Sequence, residues 1–343
     1  MAALSSGRRV HLVRAVPLVL GALAVLLLAS QPAGPQPASA AVTVELTPTE
    51  PTPTEPTPTA PPPGSQVQAR SGGGVAGDVS YVVDTSTGPR TFVLHLPGGV
   101  APTEPAPLVL VLPGLARTAA STVRETRFDA VGDATGAVIA YVDGERGSWA
   151  AGRCCGYAAA ARIDDVSALH EVVDGLATLT PIDRRRVVLA GFSNGGMLAY
   201  RVACQEARGI AGIIVASGAL VVPHCSPSAP VSVVASHGLL DRTVPEQGQA
   251  RSPYLRTSTP SLTASLQPFL RLAGCRSNRT QEAGRWSVDI RRNCRQGSSI
   301  TVFRDAQGLH RWPSITVPSG QTFAAQAYGL LADRRSLVDF GSG

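Results

Sequence analysis

The sequence predicts an α/β domain: a mostly parallel central sheet covered by helices on both faces. Three observations lead there. From about residue 75 onward, short apolar runs alternate with stretches of helical periodicity, as in repeated strand–helix units. The later runs are continuous and rich in Val, Ile and Leu, the pattern of strands buried on both faces. The tract 75–343 also has the size of one large α/β domain, whereas the first 64 residues hold little that could build a core.

Taken in order, strands are expected at Val79–Val83, Thr91–Leu96, Leu108–Leu112, Ala137–Val142, Val187–Ala190, Ile210–Ala216, Val231–Ser236 and Ser299–Phe303. Helices are expected at Ser121–Ala134, Asp164–Leu179, Asn194–Glu206, Ser261–Leu272 and Thr322–Ala332. Two strands come before the first helix, and from there strand and helix alternate. Asp164 and Asp165 read as helix N-terminal residues placed against the dipole rather than as catalysts.

The segment 1–40 has the parts of an export signal. Arg8, Arg9 and Arg14 supply the positive region, Val16 to Ala29 the apolar run, and Ala38-Ser39-Ala40 a small-x-small cleavage site. The run is short for a membrane span, which needs about 20 residues. A retained N-terminal anchor is the alternative. Arg8-Arg9 also raises twin-arginine export, but Val10-His11-Leu12 matches poorly what should follow. A secreted or cell-surface location is therefore expected. Residues 41–74 read as a linker, because the Pro-Thr near-repeat of Thr47 to Pro63 cannot bury apolar surface and tends toward extended conformations. Its threonines are candidate O-glycan carriers, and the stalk itself is a candidate for cell-wall association.

The formal charge is +6, every basic residue is Arg, and setting aside the three Arg of the export segment leaves +3. No basic stripe with interleaved aromatics occurs, and Arg184-Arg185-Arg186 reads as a solvated run before a strand. Nucleic acid is thus not an expected partner. Six cysteines in an exported chain point to disulfides, sequence-local pairing being one of fifteen connectivities. There is no C-x-x-C, and the histidines are scattered, so no metal site is expected.

The strongest chemical signal is Gly191-Phe192-Ser193-Asn194-Gly195, set between an apolar strand and a helical pattern. G-x-S-x-G in that context is a nucleophile elbow: a turn sharp enough to need small flanking residues and to leave the serine oxygen exposed. A helix N-terminus also offers N–H groups and a favourable dipole to a developing oxyanion. The serine needs a base and the base an orienting carboxylate, in the chain order Ser, acid, His. Asp241 follows the strand Val231–Ser236, and His310 lies seven residues past Phe303. His237 beside a strand end reads as a buried structural histidine, and Asp305 sits on the wrong connection to be the acid. The oxyanion donors are expected to be the N–H groups of Asn194 and of Leu115, in the loop Pro113-Gly114-Leu115-Ala116.

With these residues placed, the chain resembles the polyhydroxybutyrate depolymerase and feruloyl esterase group of secreted α/β-hydrolases over most of residues 75–335. The resemblance rests on Gly191 to Met197, on His237-Gly238…Asp241…Val244-Pro245, and on His310…Trp312-Pro313. It rests also on Trp149…Gly152-Arg153-Cys154-Cys155-Gly156 followed by Asp164-Asp165-Val166. It implies the α/β-hydrolase fold, a Ser193–Asp241–His310 triad, and bridges Cys204–Cys225 and Cys275–Cys294. It leaves Cys154 and Cys155 as either a vicinal disulfide or buried thiols. Trp312 is expected to line the acyl site. The chain departs from the group in having Pro113-Gly114 where His-Gly is usual, which removes a side chain that helps hold the loop.

The reading is a monomeric serine esterase that needs no metal or organic cofactor and takes a small or oligomeric ester: hydroxyalkanoate oligomers, feruloyl or acetyl polysaccharide esters, or aryl esters. The short segment after the last helix leaves no room for a polymer-binding domain, so soluble or amorphous substrates are expected. A cell-envelope acyltransferase on the same fold, or a non-catalytic surface binding protein, are the rival readings.

Overall fold

The computed structural model describes residues 67–70, 79–99, 101–313 and 321–332. The chain divides into two units, Met1–Pro58 and Thr59–Gly343, and only the second contains described residues. The expected signal peptide and the Pro-Thr repeat lie outside them.

The described strands are β1 (Val67–Arg70), β2 (Val79–Thr85), β3 (Gly88–His95), β4 (Ala106–Leu112), β5 (Val138–Val142), β6 (Ile182–Phe192), β7 (Ile210–Ala216), β8 (Ser232–Gly238), β9 (Ser277–Ala283), β10 (Trp286–Arg292) and β11 (Ile300–Asp305). The helices are α1 (Ala119–Thr126), α2 (Phe128–Thr135), α3 (Gly156–Ala160), α4 (Asp165–Leu179), α5 (Asn194–Gln205), α6 (Leu262–Ala273) and α7 (Phe323–Ala332). They build one sheet in the order β1-β2-β3-β5-β4-β6-β7-β8-β11-β10-β9. Its middle, from β5 through β4, β6, β7 and β8 to β11, is parallel; both flanks are antiparallel. This is the α/β-hydrolase fold.

The middle strands are buried on both sides because successive side chains serve different cores. Leu108, Leu110 and Leu112 of β4 belong to the core that also holds residues of α4, α5 and α6, while Val109 and Val111 belong to the core that holds residues of α1, α2 and α7. β5 divides the same way, with Val138, Ala140 and Val142 on one face and Ile139 and Tyr141 on the other. Covering both faces leaves the carboxyl ends of the parallel strands as the open edge, where ligands of such sheets bind.

The structure corrects several expectations. Val67–Arg70, assigned to the linker, is an edge strand paired antiparallel with β2, so the sheet begins before residue 75. Four residues with one apolar side chain facing inward carry too little periodicity to be read. The helix expected over Ser121–Ala134 is two, broken at Arg127, whose left-handed φ of 59° ends α1 and starts α2. The hairpin β9–β10 was not expected. β9 (SNRTQEA) is polar except for its last residue, Ala283, and its pairing is dictated by β10, whose buried Val288 and Ile290 alternate. Arg184 to Arg186 lie exposed within β6 rather than before it, near Asp174 and Asp183.

All six cysteines pair. Cys275 and Cys294 close the open end of the β9–β10 hairpin with Cα atoms 3.9 Å apart, and Cys204 ties the end of α5 to Cys225 at 5.0 Å. Cys154 and Cys155 form a vicinal disulfide, resolving the alternative that the sequence left open. Such closed pairs fit an oxidising compartment. No described helix is long and apolar enough to cross a membrane.

Candidate active site

β6 ends at Phe192 and α5 begins at Asn194, so Ser193 alone turns the chain, at φ 51° and ψ −118°. Such a backbone costs of order 1–3 kcal/mol and persists only where the surroundings hold it. They do: the Ser193 N–H donates to the Ala216 carbonyl at 2.8 Å, and the flanking glycines are sterically required. A Cβ on Gly191 would strike the Gly195 backbone, and one on Gly195 would strike the Leu112 carbonyl.

Three loops at the carboxyl edge converge on that turn. Asp241 follows β8, and its buried carboxylate accepts the N–H groups of Thr243 and Val244, both at 2.9 Å. Its other oxygen lies 2.7 Å from His310 Nδ1, in the loop after β11. His310 Nε2 lies 2.9 Å from Ser193 Oγ. An ionised carboxylate only accepts, so Nδ1 carries the hydrogen and Nε2 accepts from the serine hydroxyl. The imidazole is braced by the Phe192 ring, 5.0 Å centroid to centroid, which Arg117 covers from 5.5 Å.

Leu115 lies in the loop after β4, and Asn194 is the first residue of α5, next to Ser193. Gly114 lies against the elbow, where an added Cβ would sit 2.8 Å from the Phe192 ring and 3.4 Å from Ser193 Cβ. The Leu115 N–H has no backbone partner among the described residues, and a first-turn amide such as that of Asn194 has none within its helix. Trp312 does not take the place expected of it. It is 4% exposed and packs edge-on to Phe128 and Phe323, because a large aromatic gains most by filling the core between α2 and α7.

The loop before α3 holds residues whose part was not read from the sequence. Trp149 Nε1 donates to the Pro113 carbonyl at 3.0 Å, bracing the loop that lacks the usual histidine. The Asn194 side chain grips the Trp149 backbone twice, accepting its N–H at 2.8 Å and donating to its carbonyl at 3.0 Å. Beneath it the buried Asp165 accepts the Ala150 N–H at 2.7 Å and pairs with buried Arg90 at 2.8 Å. Burial nonetheless raises the Asp165 carboxyl above its usual range, against the pull of the Ala150 N–H and Arg90. Asp164 alone matches the expected cap, accepting from Ser167. The one clue in the sequence was the Trp149–Gly156 stretch itself, whose spacing does not say which atoms meet.

His237 donates from Nε2 to the Val244 carbonyl at 2.6 Å and lies 3.7 Å from Asp241. Burial pushes this imidazole below its ordinary 6.5, more than the Val244 carbonyl and Asp241 push it up. The unfolded chain therefore takes the proton first as pH falls, and the stability held by neutral His237 is full above about 6.5 and lost below it. The thermal midpoint is expected to fall between pH 7 and pH 5, and to fall less in His237→Gln. Equal slopes for the two proteins in a scanning-calorimetry series would remove His237 from that account.

No group of three or more His, Cys, Asp or Glu among the described residues is arranged to hold a metal.

Residues 158–270 match the family described as phospholipase/carboxylesterase, which is less than half of the chain. NocK of Nocardia uniformis subsp. tsuyamanensis, a protein named as an esterase, is 29% identical over 271 residues, covering 73% of this chain and 78% of that one. Feruloyl esterase B of Piromyces equi is 23% identical over 234 residues, 64% of this chain but 42% of the relative. The chain thus spans less than half the length of that second relative. Among solved structures, the acetyl xylan esterase from Aspergillus awamori superposes with a TM-score of 0.50 at 12% identity, covering 72% of this chain and 95% of that one. The S-formylglutathione hydrolase from Agrobacterium tumefaciens gives 0.50 at 14% identity, covering 78% and 99%. At those identities the structures speak for the fold alone. The chain has the α/β-hydrolase fold, and in sequence it is similar to carboxylic ester hydrolases.

Proposed function

We propose that this protein is an exported serine esterase in which Ser193 is the nucleophile, His310 the general base and acid, and Asp241 the residue that orients it. The observation that carries the reading is the continuous chain from Ser193 Oγ through His310 to Asp241, at 2.9 and 2.7 Å, built on a strained strand–helix turn. Ser193 Oγ attacks the ester carbonyl as Nε2 takes its proton, and the resulting imidazolium faces a carboxylate already hydrogen-bonded by two amides. The tetrahedral oxyanion is received by the N–H groups of Leu115 and Asn194. The imidazolium returns its proton to the leaving alcohol, and water repeats the sequence on the acyl-enzyme.

Candidate substrates are acetyl or feruloyl esters of polysaccharide, hydroxyalkanoate oligomers and small aryl esters. Leu115, Leu239, Leu240 and Leu309, exposed on the loops that carry the site, offer an apolar rim to such acyl groups. The three disulfides support an extracytoplasmic location.

The purified full chain is expected to hydrolyse p-nitrophenyl acetate, butyrate and octanoate, and to be inactivated by phenylmethylsulfonyl fluoride with one added mass on the peptide containing Ser193. A folded protein that turns over none of the esters and takes no label overturns the reading. Trp149→Phe keeps an aromatic side chain and removes the N–H that bonds the Pro113 carbonyl. It is expected to lower kcat about 10- to 100-fold with KM little changed, since a misplaced oxyanion donor acts on the transition state. A change in KM alone would place Trp149 in substrate binding.

A further inference from the structure

We infer that the carboxyl edge of the sheet, the face that carries Ser193, docks on an anionic lipid surface. Docking belongs to the face itself; that it brings Ser193 to esters held in the lipid rests on the esterase reading.

The apolar part of this face comes from loops on both sides of the nucleophile. In the sheet, β6 has β4 on one side and β7, β8 and β11 on the other. The elbow after β6 therefore lies between the loop after β4 and the loops after β8 and β11. Leu239 and Leu240 open the loop after β8, and Leu309 lies in the loop after β11, at 46%, 52% and 51% exposure. These two loops are tied together. The Leu239 N–H donates to the Asp305 carbonyl and the Leu240 N–H to the Gly308 carbonyl, both at 2.9 Å. On the other side, Leu115 is exposed against the start of α3, where a Cβ added to Gly156 would meet Leu115 Cδ1 at 3.0 Å. Exposed Tyr157 follows, with the Arg146 guanidinium 4.0 Å from its ring centre. A single exposed leucine needs no account, but several around one opening mark contact with another apolar body.

Charge says which body. In the loops 113–118, 143–155, 239–261 and 306–313, every exposed charged side chain is an arginine. The acids of those loops are buried or half-buried, and each is engaged: Asp143 by the Ala119 N–H, Glu145 by Arg90, Asp241 by His310 and Glu246 by Arg304. Arg153, Arg242 and Arg311 have no ion-pair partner among the described residues. The opposite edge is built differently, with Arg184 against Asp174, Arg186 against Asp183 and Arg208 near Glu206. Leucines ringed by uncompensated arginines suit a body with an apolar interior and a negative surface, which is a layer of anionic lipid. A second copy of the chain would instead set arginine against arginine.

The test places a reporter on the face. All six cysteines pair, so Leu240→Cys carries one environment-sensitive fluorophore. Leu179→Cys carries the same label at the end of α4, exposed on the opposite edge. Each full-length protein is mixed with vesicles of phosphatidylcholine alone, or of phosphatidylcholine and phosphatidylglycerol in equal parts. The emission at 240 is expected to move to the blue on the mixed vesicles and to stay in place on phosphatidylcholine, while that at 179 stays in place on both. Arg242→Gln and Arg311→Gln, made in the protein labelled at 240, are each expected to weaken the response about 5-fold in lipid concentration, the usual effect of one basic residue near an anionic surface. The label reports the surface on which it sits, so attachment of the chain through residues 1–40 does not imitate it.

No shift at 240 on the mixed vesicles overturns the inference. So does an equal shift at both positions, or an equal shift on both lipids, which would point to a neutral apolar surface. A shift that grows with protein concentration in the absence of vesicles would assign the face to a second copy and overturns it as well. None of these measurements involves turnover, so their outcome is separate from that of the esterase reading.

Discussion

Ser193→Ala is expected to lower kcat on p-nitrophenyl acetate by about 10⁴-fold or more, while thermal unfolding stays within a degree or two of the parent protein. Groups that act as one catalytic unit lose nearly all their effect together, and what survives is the contribution of oxyanion donors and binding. Alanine tolerates the φ of 51° no better than serine, so the strain of the turn is unchanged and the comparison isolates the hydroxyl. Steady-state kinetics beside a calorimetric scan of both proteins checks both halves of the expectation. If the variant retains most of the activity, the ester is cleaved elsewhere and the hydrogen-bonded chain through His310 is not the route.

Asp165→Ala is expected to destabilise the fold by about 3–5 kcal/mol, the usual consequence of leaving one member of a buried ion pair without its partner. At roughly 2–4 °C per kcal/mol for a domain of this size, the thermal midpoint falls by roughly 10 °C. Arg90, 1% exposed, would keep only Glu145 at 3.3 Å and Thr87 at 2.9 Å. The same carboxylate holds the Ala150 N–H, one residue from the tryptophan that braces the oxyanion loop. Activity on p-nitrophenyl esters is therefore expected to fall even at temperatures where the variant is folded. A midpoint within 2 °C of the parent would mean that the pair contributes little to stability.

The legible part of this protein was local. A nucleophile elbow needs small residues at fixed offsets from a serine between a strand and a helix, and Gly191, Gly195 and the apolar run before them are all consecutive in the chain. The middle strands were legible for the same reason, since burial on both faces writes continuous Val, Ile and Leu. Chain order and strand ends then placed Asp241 and His310 as candidates, and the structure brings His310 to Ser193 and Asp241 to His310.

Tertiary packing decided the rest, because those features have no local signature. β1 and β9 are strands only through a neighbouring strand's pairing. Trp312 and Trp149 have the same side chain. The first was expected at the substrate and fills the core; the second carried no expected role and holds Pro113 with its ring N–H. Asp165 looked like a second capping residue beside Asp164, yet it is buried against Arg90, 75 positions away. Sequence by itself determined which residues were chemically able to act and in what order they lie. Which of them meet depends on contacts between residues far apart in the chain, and these exist only once the sheet is assembled and both its faces are covered.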